Sequence, residues 1–372
     1  MIRWSSLLAV VLVTALLLSA GCMSAPATNS TPATITLTDM TNRTVEVKEH
    51  PDRVVGVGAG TLRMLVYLDA TDRVVGVDER DRFTAQGGAP GMPSGNDRPY
   101  LLAHPEIGNL SSVGRITGDP EQLMAQHPDV VFLSFTTAKD AQALQEKTGI
   151  PVVSIVTGDL GKNRPVFYRS LRTMAKVLGK DARADEVIAY INATIADLER
   201  RTADIPNEQR PSVYIGGVAF NGAHGLLSTD PAYAPFLLLG ARNVAAGVGQ
   251  GGQVMIDKEK LVEWNPDLIF IDQASASAVE NDLQDPVFRS LGAVKGEKVY
   301  GVLPYNWYAN NYDTVLVDAY AIGKLLYPER FADVDPEQKA DEIYTALDGR
   351  PVYAGLKAHF GGFGPFGAER QG

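Results

Sequence analysis

The chain has 372 residues, a formal net charge of −10, 45% hydrophobic residues and 21% charged residues. These values are typical of a globular protein long enough for about two domains of ~100–200 residues each. A general nucleic-acid binder would carry a basic stripe, so the acidic balance argues against that class of protein.

The first 22 residues have the organisation of an export signal. Arg3 precedes the apolar run LLAVVLVTALLL, and small residues then lead to Cys22, the only cysteine of the chain. The run is shorter than the ~20 residues that a membrane-spanning helix needs. Its end resembles a lipobox, although Ser19 stands where Leu is usual. We predict lipidation of Cys22 and a location at the outer face of the cytoplasmic membrane, in the periplasm or at the cell surface. A plain secretory signal and an uncleaved anchor are the alternatives.

Composition and apolar patterning divide the rest of the chain into segments. Residues 23–33, MSAPATNSTPA, are polar and interrupted by proline, which predicts a flexible tether. We then predict an N-terminal α/β lobe at 34–160, a helical linker at 161–205 and a C-terminal α/β lobe at 206–350. The Gly-rich tail at 351–372 is expected to be poorly ordered.

The N-terminal lobe is expected to open with a hairpin, because alternating β-formers in ITLTDMTNRTVEV flank a polar turn. The sequence DRVVGV then occurs twice, at residues 52–57 and 72–77, with LRMLVYL between the copies. Continuous apolar runs are typical of parallel strands covered on both faces, so this stretch predicts a βαβ unit. IPVVSI and SVYIGG are further strand candidates.

Two longer stretches repeat one pattern 138 residues apart. DPEQLMAQHPDVVFLS begins at Asp119, and DKEKLVEWNPDLIFID begins at Asp257. In the first copy Asp119 is a candidate N-cap, Pro120 stands at the first helical position and Glu121 lies in the first turn. Each copy therefore predicts a short helix that leads into a buried strand.

The segment between the two halves predicts long helices. Apolar residues from Val187 to Leu198 recur at helical spacing, and Gly179 separates this run from an earlier one. A helix over residues 181–201 would span about 30 Å, which suits a strut between two lobes. An ordinary packed helix is the alternative.

These features together resemble a known family. TLTDMTNRTVEVKEHPDRVVGV, the two Pro-Asp strand stretches, the long helix and LGARNVA at 239–245 follow one another as in iron-complex solute-binding proteins of ABC importers, a group that includes vitamin B12, haem and siderophore binders. The resemblance covers residues 34–331. It implies two Rossmann-like α/β lobes with central, mostly parallel sheets, one long rigid helix between them and a ligand cleft between the lobes. It also implies a monomeric, non-enzymatic protein without cofactor, which serves a permease dimer and its ATPase subunits.

The resemblance assigns a role to the repeated glutamate. In such proteins a surface Glu on each lobe contacts arginines of the permease, and Glu121 and Glu259 match those positions. Two carboxylates on equivalent lobes would let one protein bind a two-fold symmetric partner, with an effect on orientation more than on affinity. The alternative is that the helix dipole alone favours both residues.

On the N-terminal lobe, the predicted ligand residues follow the first strand, where open α/β sheets bind ligands. The turn GAGTLR supplies Gly60, Thr61 and Arg63, and a later loop supplies Arg115. The family usually carries Glu early in that helix, where this chain has Arg63. Either cation could face an anionic chelate or only cover the protein surface.

On the C-terminal lobe, three loops carry the predicted ligand residues. AFNGAHG and GVGQGGQ are polar loops, and LPYNWYANNYDT combines aromatic planes with neutral amides. Such a set suits a large, partly apolar ligand, although a buried structural cluster is the alternative. The predicted residues are Asn221, His224, Gln250, Tyr305, Asn306, Trp307, Tyr308 and Asn310.

The types of residue in the chain limit the classes of ligand that we expect. Of the five histidines only His224 is placed for a cleft, so a three-His metal site is not expected, and a metal would arrive inside its ligand. Arg63 and Arg115 favour an anionic, siderophore-type Fe³⁺ complex; cobalamin, haem and the oxyanions molybdate and tungstate are alternatives. The chain has no GxSxG, Walker or HExxH motif. An exported enzyme and a ligand-sensing surface lipoprotein are therefore more distant alternatives.

Overall fold

The computed structural model of the protein describes residues 33–83, 97–249 and 251–367. The predictions for the export signal, for Cys22, for Gln250 and for nearly all of the tether lie outside these residues. Within the described ranges, no helix is both long and apolar enough to cross a membrane.

The chain alternates between strands and helices. The strands are β1 Thr34–Thr38, β2 Thr44–Lys48, β3 Val54–Val57, β4 Val74–Val77, β5 Val130–Leu133, β6 Val152–Ser154, β7 Ser212–Gly216, β8 Ser228–Thr229, β9 Arg242–Asn243, β10 Val254–Met255, β11 Leu268–Asp272, β12 Val299–Val302 and β13 Gly364–Pro365. The helices are α1 Thr61–Tyr67, α2 Pro99–Ala103, α3 Pro120–Gln126, α4 Ala138–Thr148, α5 Arg164–Leu178, α6 Asp181–Thr202, α7 Ala234–Leu239, α8 Lys258–Trp264, α9 Ala276–Asp282, α10 Pro286–Arg289, α11 Gly292–Lys295, α12 Tyr312–Leu326, α13 Pro336–Asp348 and α14 Tyr353–Phe360.

Two sheets carry the fold, and both follow one plan. The first has the order β4-β3-β5-β6, and the second has the order β9-β7-β11-β12 with β13 added at its edge. In each, four strands run parallel, and the strand that comes first in the chain lies between the second and the third. The predicted α/β class with mostly parallel sheets is confirmed. The predicted hairpin is also present, as β1 paired with β2.

The repeated sequence pattern forms equivalent elements in the two sheets. Helix α3 leads into β5 and helix α8 leads into β11, and each of these strands pairs with the first strand of its own sheet. Asp119 caps α3 through its carboxylate, which accepts from the N–H groups of Glu121 and Gln122 at 3.0 and 2.9 Å. Asp257 makes no such side-chain cap. The feature that both copies share is therefore the connection from helix to strand, and the side-chain cap is found only in the first copy.

Both of these helices end just before a proline. His127 and Asn265 adopt positive φ angles of 46° and 40° and are followed by Pro128 and Pro266. Proline disfavours the helical region for the residue that precedes it, so the left-handed residue ends the helix and turns the chain into the strand.

The segment between the sheets forms the predicted helices α5 and α6. Gly179 separates them with a φ of 67°, and a Cβ at this position would lie 2.4 Å from the His50 ring. Helix α6 has 22 residues, a length of about 33 Å. Its buried face packs against α5, α7, α12 and α13. The helix is confirmed, whereas its role as a strut stays a prediction.

The C-terminal segment is more ordered than the sequence predicts. Residues 353–360 form α14, whose Tyr353, Leu356 and Phe360 are buried on one face, and Gly364 in β13 pairs antiparallel with Gly301. The expectation of a poorly ordered tail is therefore wrong for the described part, because aromatic side chains at helical spacing anchor it. Helix α13 packs against both α1 and α2, so the end of the chain covers helices that belong to the first sheet.

Candidate ligand-binding site

The carboxyl ends of the first sheet's strands meet around one buried carboxylate. Asp78 directly follows β4, and its Oδ2 accepts from the N–H groups of Gly58, after β3, and Ile116, at 3.1 and 2.7 Å. Its Oδ1 accepts from the N–H of Arg80 at 2.9 Å. Asp78 therefore holds three loops together at the sheet edge where parallel α/β sheets bind ligands.

A loop from the second sheet lies over this edge. We call residues 303–311 the aromatic loop; it connects β12 to α12. The Asn310 side-chain amide donates to the Gly158 carbonyl at 3.0 Å, and the Tyr312 hydroxyl donates to the Thr157 carbonyl. Thr157 and Gly158 follow β6. The aromatic loop thus connects the carboxyl ends of strands from both sheets.

Tyr308, on the aromatic loop, lies against two guanidinium groups. Arg98 lies 4.7 Å and Arg80 5.6 Å from the centre of its ring. Burial, followed by the negative charges of Asp81 and Asp78, raises the pKa of Tyr308 well above its ordinary value, so the phenol stays protonated. Both guanidinium groups lie within the distance at which an aromatic ring attracts a cation, so Tyr308 stabilises two positive charges at this edge of the sheet.

Arg98 belongs to a buried polar network. Only 4% of the residue is exposed, and one of its terminal nitrogens donates to Asp81 at 2.6 Å. The Tyr100 hydroxyl donates to the same carboxylate oxygen at 2.7 Å. Burial raises the pKa of Asp81, while the Arg98 charge lowers it. Arg98 Nε and the second Asp81 oxygen are buried and have no hydrogen-bond partner among the described residues, so the polar network is not fully satisfied.

Three predicted residues follow β3, and two of them, Gly60 and Arg63, lie next to the aromatic loop. Gly60 has a φ of 83°, and a Cβ there would lie 2.9 Å from Thr157 Cγ2 and 3.4 Å from Ala309 Cβ. Thr61 is buried and donates to the Val57 carbonyl at 2.9 Å. Arg63 is fully buried and donates to residues of the aromatic loop.

The predicted residues of the aromatic loop have separate surroundings. Tyr305 donates to the Asp230 carboxylate at 3.4 Å, and the Asn306 amide donates to the Ala219 carbonyl at 2.9 Å, which links the aromatic loop to the loop after β7. Trp307 Nε1 is buried and has no hydrogen-bond partner in the described part of the protein.

The other predicted residues lie apart from this cluster. Arg115 and Asn221 are exposed, and the His224 ring is turned back to its own loop, with Nε2 2.8 Å from the Phe220 carbonyl. Across the described ranges, no hydrogen bond joins Arg115, Asn221 or His224 to the aromatic loop. Arg115 is adjacent to Ile116, whose N–H binds Asp78, so it lies at the border of the cluster.

Arg80, Arg98 and Asp78 are site residues that the sequence analysis missed. The charged stretch DERDR directly follows the apolar run VVGV of β4, and charge at the carboxyl end of a parallel strand is a usable signal. Arg98 offers no comparable signal. It reaches Tyr308 only through the tertiary fold, 210 positions away in the sequence.

The two glutamates of the repeated pattern occupy matching positions. Glu121 lies in the first turn of α3 and Glu259 in the first turn of α8. Both residues are exposed, and neither forms an ion pair with a described residue. Their surroundings leave both carboxylates available to a partner, and the docking role stays a prediction.

The chain belongs to the periplasmic binding protein family, since its residues 54–305 match the sequence profile of that family. It is 28% identical over 334 residues to the molybdate-binding protein MolA of Haemophilus influenzae, with 83% of this chain and 89% of MolA covered. The structure of MolA bound to molybdate superposes with a TM-score of 0.65 at 25% identity, covering 85% of this chain and 98% of MolA. A periplasmic solute-binding protein of Veillonella parvula gives a TM-score of 0.68 at 20% identity, covering 88% of this chain and 97% of that one. The protein is therefore a substrate-binding protein of an ABC transporter.

Proposed function

We propose that the protein captures an oxyanion such as molybdate outside the cytoplasm and delivers it to an ABC permease with its ATPase subunits. The observation that carries this proposal is the pair of guanidinium groups, Arg80 and Arg98, on the Tyr308 ring at the carboxyl ends of the strands. Guanidinium groups match the geometry of planar or tetrahedral oxyanions, and a buried one has little competing water. Lipidation of Cys22 and the monomeric state stay predictions from the sequence.

We favour an oxyanion as the ligand over the ferric siderophore complex that the sequence predicts. Hydrogen bonds from Asn310 and Arg63 hold the aromatic loop against the first sheet, which suits a small ligand better than a large one. MolA, to which the chain is similar, binds molybdate.

The anionic ferric chelate remains the second candidate because of two exposed aromatic side chains. Phe135, after β5, is 65% exposed, and Phe220, after β7, is 58% exposed. Both lie beyond the carboxyl ends of strands, where an organic chelate could cover them. Neither cobalamin nor haem has a comparable observation in its favour.

The ligand is tested by titrating the purified protein calorimetrically with molybdate, tungstate, sulfate, phosphate and a ferric catecholate. We expect saturable binding of molybdate or tungstate, with a raised melting temperature, because a ligand at 100 times its Kd stabilises the folded state by about 2.7 kcal/mol. Binding of the ferric catecholate alone would replace the first candidate by the second. Binding of none of these compounds would refute both.

The docking role predicts a separation of transport from ligand binding. The double variant Glu121→Lys/Glu259→Lys should retain wild-type ligand affinity and lose uptake in cells, because like charges placed at an interface cost several kcal/mol. Charge reversal of Glu199 and Glu329, two exposed residues outside the repeated pattern, is the matched control and should leave uptake intact. Normal uptake by the Glu121/Glu259 variant would exclude the docking assignment.

A further inference from the structure

Arg63 is a buried cation whose side-chain hydrogen bonds go to the aromatic loop. Its Nε donates to Asn311 Oδ1 at 2.9 Å. One terminal nitrogen donates to the Asn310 carbonyl at 2.6 Å and the other to the Tyr308 carbonyl at 3.2 Å. All three acceptors belong to one four-residue stretch, so a single side chain on α1 fixes the backbone of a loop that is 245 or more positions away in the sequence.

The stretch that Arg63 holds has an unfavourable backbone conformation. Tyr308 and Ala309 are consecutive residues with positive φ angles of 56° and 63°. Non-glycine residues in this region store strain and persist only where surrounding contacts impose it. The Tyr308 carbonyl lies between these two residues and the Asn310 carbonyl follows them, and both accept from Arg63.

Asn311 extends the effect of Arg63 to the rest of the loop. While its Oδ1 accepts from Arg63, its amide nitrogen donates to the carbonyls of Tyr305 and Trp307 at 3.0 and 3.2 Å. The Arg63 guanidinium also lies 5.0 Å from the centre of the Tyr100 ring. Arg63 forms no ion pair with a described residue, and all its hydrogen bonds go to neutral acceptors. Burial of its charge is unfavourable, so we infer that these bonds are retained because they fix the conformation of the loop.

We propose that Arg63 is a positioning residue, in place of the direct ligand contact predicted from the sequence. It holds the backbone of residues 308–311 so that the Tyr308 ring stays against Arg80 and Arg98. The inference rests on the proposed function, since it treats that cluster as the oxyanion site. A lysine at position 63 keeps the charge and loses the fork that reaches three acceptors at once.

The test compares Arg63→Lys with Arg183→Lys in the full-length protein. Arg183 is a suitable control because it also bonds two backbone carbonyls across the core, those of Tyr67 and Ala346, and makes no bond to the aromatic loop. Molybdate affinity is measured by calorimetry and stability by melting temperature. The emission and iodide quenching of Trp307 are measured without ligand, as the difference between each protein and its Trp307→Phe counterpart.

We expect Arg63→Lys to weaken molybdate binding by about tenfold to 100-fold, because it loses charge-assisted hydrogen bonds, and to increase quenching of Trp307. Arg183→Lys should change affinity by no more than about twofold for a comparable loss of melting temperature. Equal affinities in the two variants, with unchanged Trp307 emission, would overturn the inference and leave the proposed function intact. If the wild-type protein binds neither molybdate nor tungstate, the oxyanion proposal fails, and the ligand-free Trp307 signal alone decides the role of Arg63.

Discussion

Replacement of Arg98 by glutamine is expected to abolish ligand binding and to lower the free energy of unfolding by about 3–5 kcal/mol. The loss of stability follows because removal of one partner of a buried ion pair leaves the other charge uncompensated. Here that charge is the Asp81 carboxylate, which is almost fully buried. The loss of binding follows because Arg98 is the buried guanidinium on the Tyr308 ring. Chemical denaturation and calorimetric titration measure the two effects separately.

A second substitution distinguishes the ligand role of Arg98 from its structural role. The double variant Asp81→Asn/Arg98→Gln removes both charges and retains an oxygen for the Tyr100 hydroxyl, so most of the lost stability should return while ligand binding stays absent. Arg43→Gln is the matched control, since Arg43 pairs with buried Asp39 at 3.1 Å in the N-terminal hairpin. It should lower stability and leave affinity unchanged. A double variant that binds ligand normally would remove Arg98 from the site.

The second large effect concerns a pair of buried carboxyl groups behind the aromatic loop. Asp313 is the second residue of α12 and Asp348 is the last residue of α13. The Tyr67 hydroxyl donates to Asp313 at 2.6 Å, whereas neither Asp348 oxygen has a hydrogen-bond donor among the described residues. Burial, and next the negative charge of Asp313, raise the pKa of Asp348 well above its ordinary value, although Arg63 and Arg183 oppose the shift. A proton on Asp348 supplies the donor that lets the two carboxyl groups bond.

The raised pKa sets the sign of the pH dependence. The Asp348 proton is bound more tightly in the folded protein, so its stabilisation is complete below the unfolded value of about pH 4 and is lost as the pH rises through the folded value. At pH 8 the Asp348→Asn protein should therefore be more stable than the wild type by about 1–3 kcal/mol in the free energy of unfolding, with a higher melting temperature. At pH 4 the gain in stability over the wild type should be smaller. Thermal melts from pH 4 to pH 8 measure both differences.

Asp333→Asn is the control of opposite sign. A hydrogen bond from Arg201 lowers the pKa of Asp333 to about 2, so this group stabilises the fold above the unfolded value of about pH 4 and loses its effect as the pH falls towards 2. Its replacement should lower stability at pH 8 and have little effect near pH 2. An Asp348→Asn protein that is less stable than the wild type at pH 8 would contradict the assignment of a buried proton.

Local sequence determined the strands and helices that the sequence analysis found. Apolar runs such as VVGV and LIFID became buried parallel strands because both faces of each sheet are covered. Pro120 and the Asp119 cap placed the start of α3. The two-residue β9 and the edge strand β13 escaped notice because they are too short to show any periodicity.

The candidate site was predictable only where its residues are adjacent in sequence. The aromatic loop, from Tyr305 to Asn310, stands out as a dense set of aromatic and amide residues. The function of Arg63 and Arg98 depends on partners more than 200 positions away, and no local pattern reports such a contact. The sequence correctly placed Arg63 at this edge of the sheet, but its hydrogen-bond partners required the tertiary structure.

The contact of α13 with α1 and α2 has a consequence for the order of folding. All seven residues of α1 are buried, and part of their cover is a helix that begins only at Pro336. During synthesis part of the buried surface of α1 therefore stays uncovered until the helix that begins at Pro336 has been made. A nascent chain that stops before residue 336 leaves that surface open to chaperones and proteases. Only a chain that includes α13 covers this face of α1.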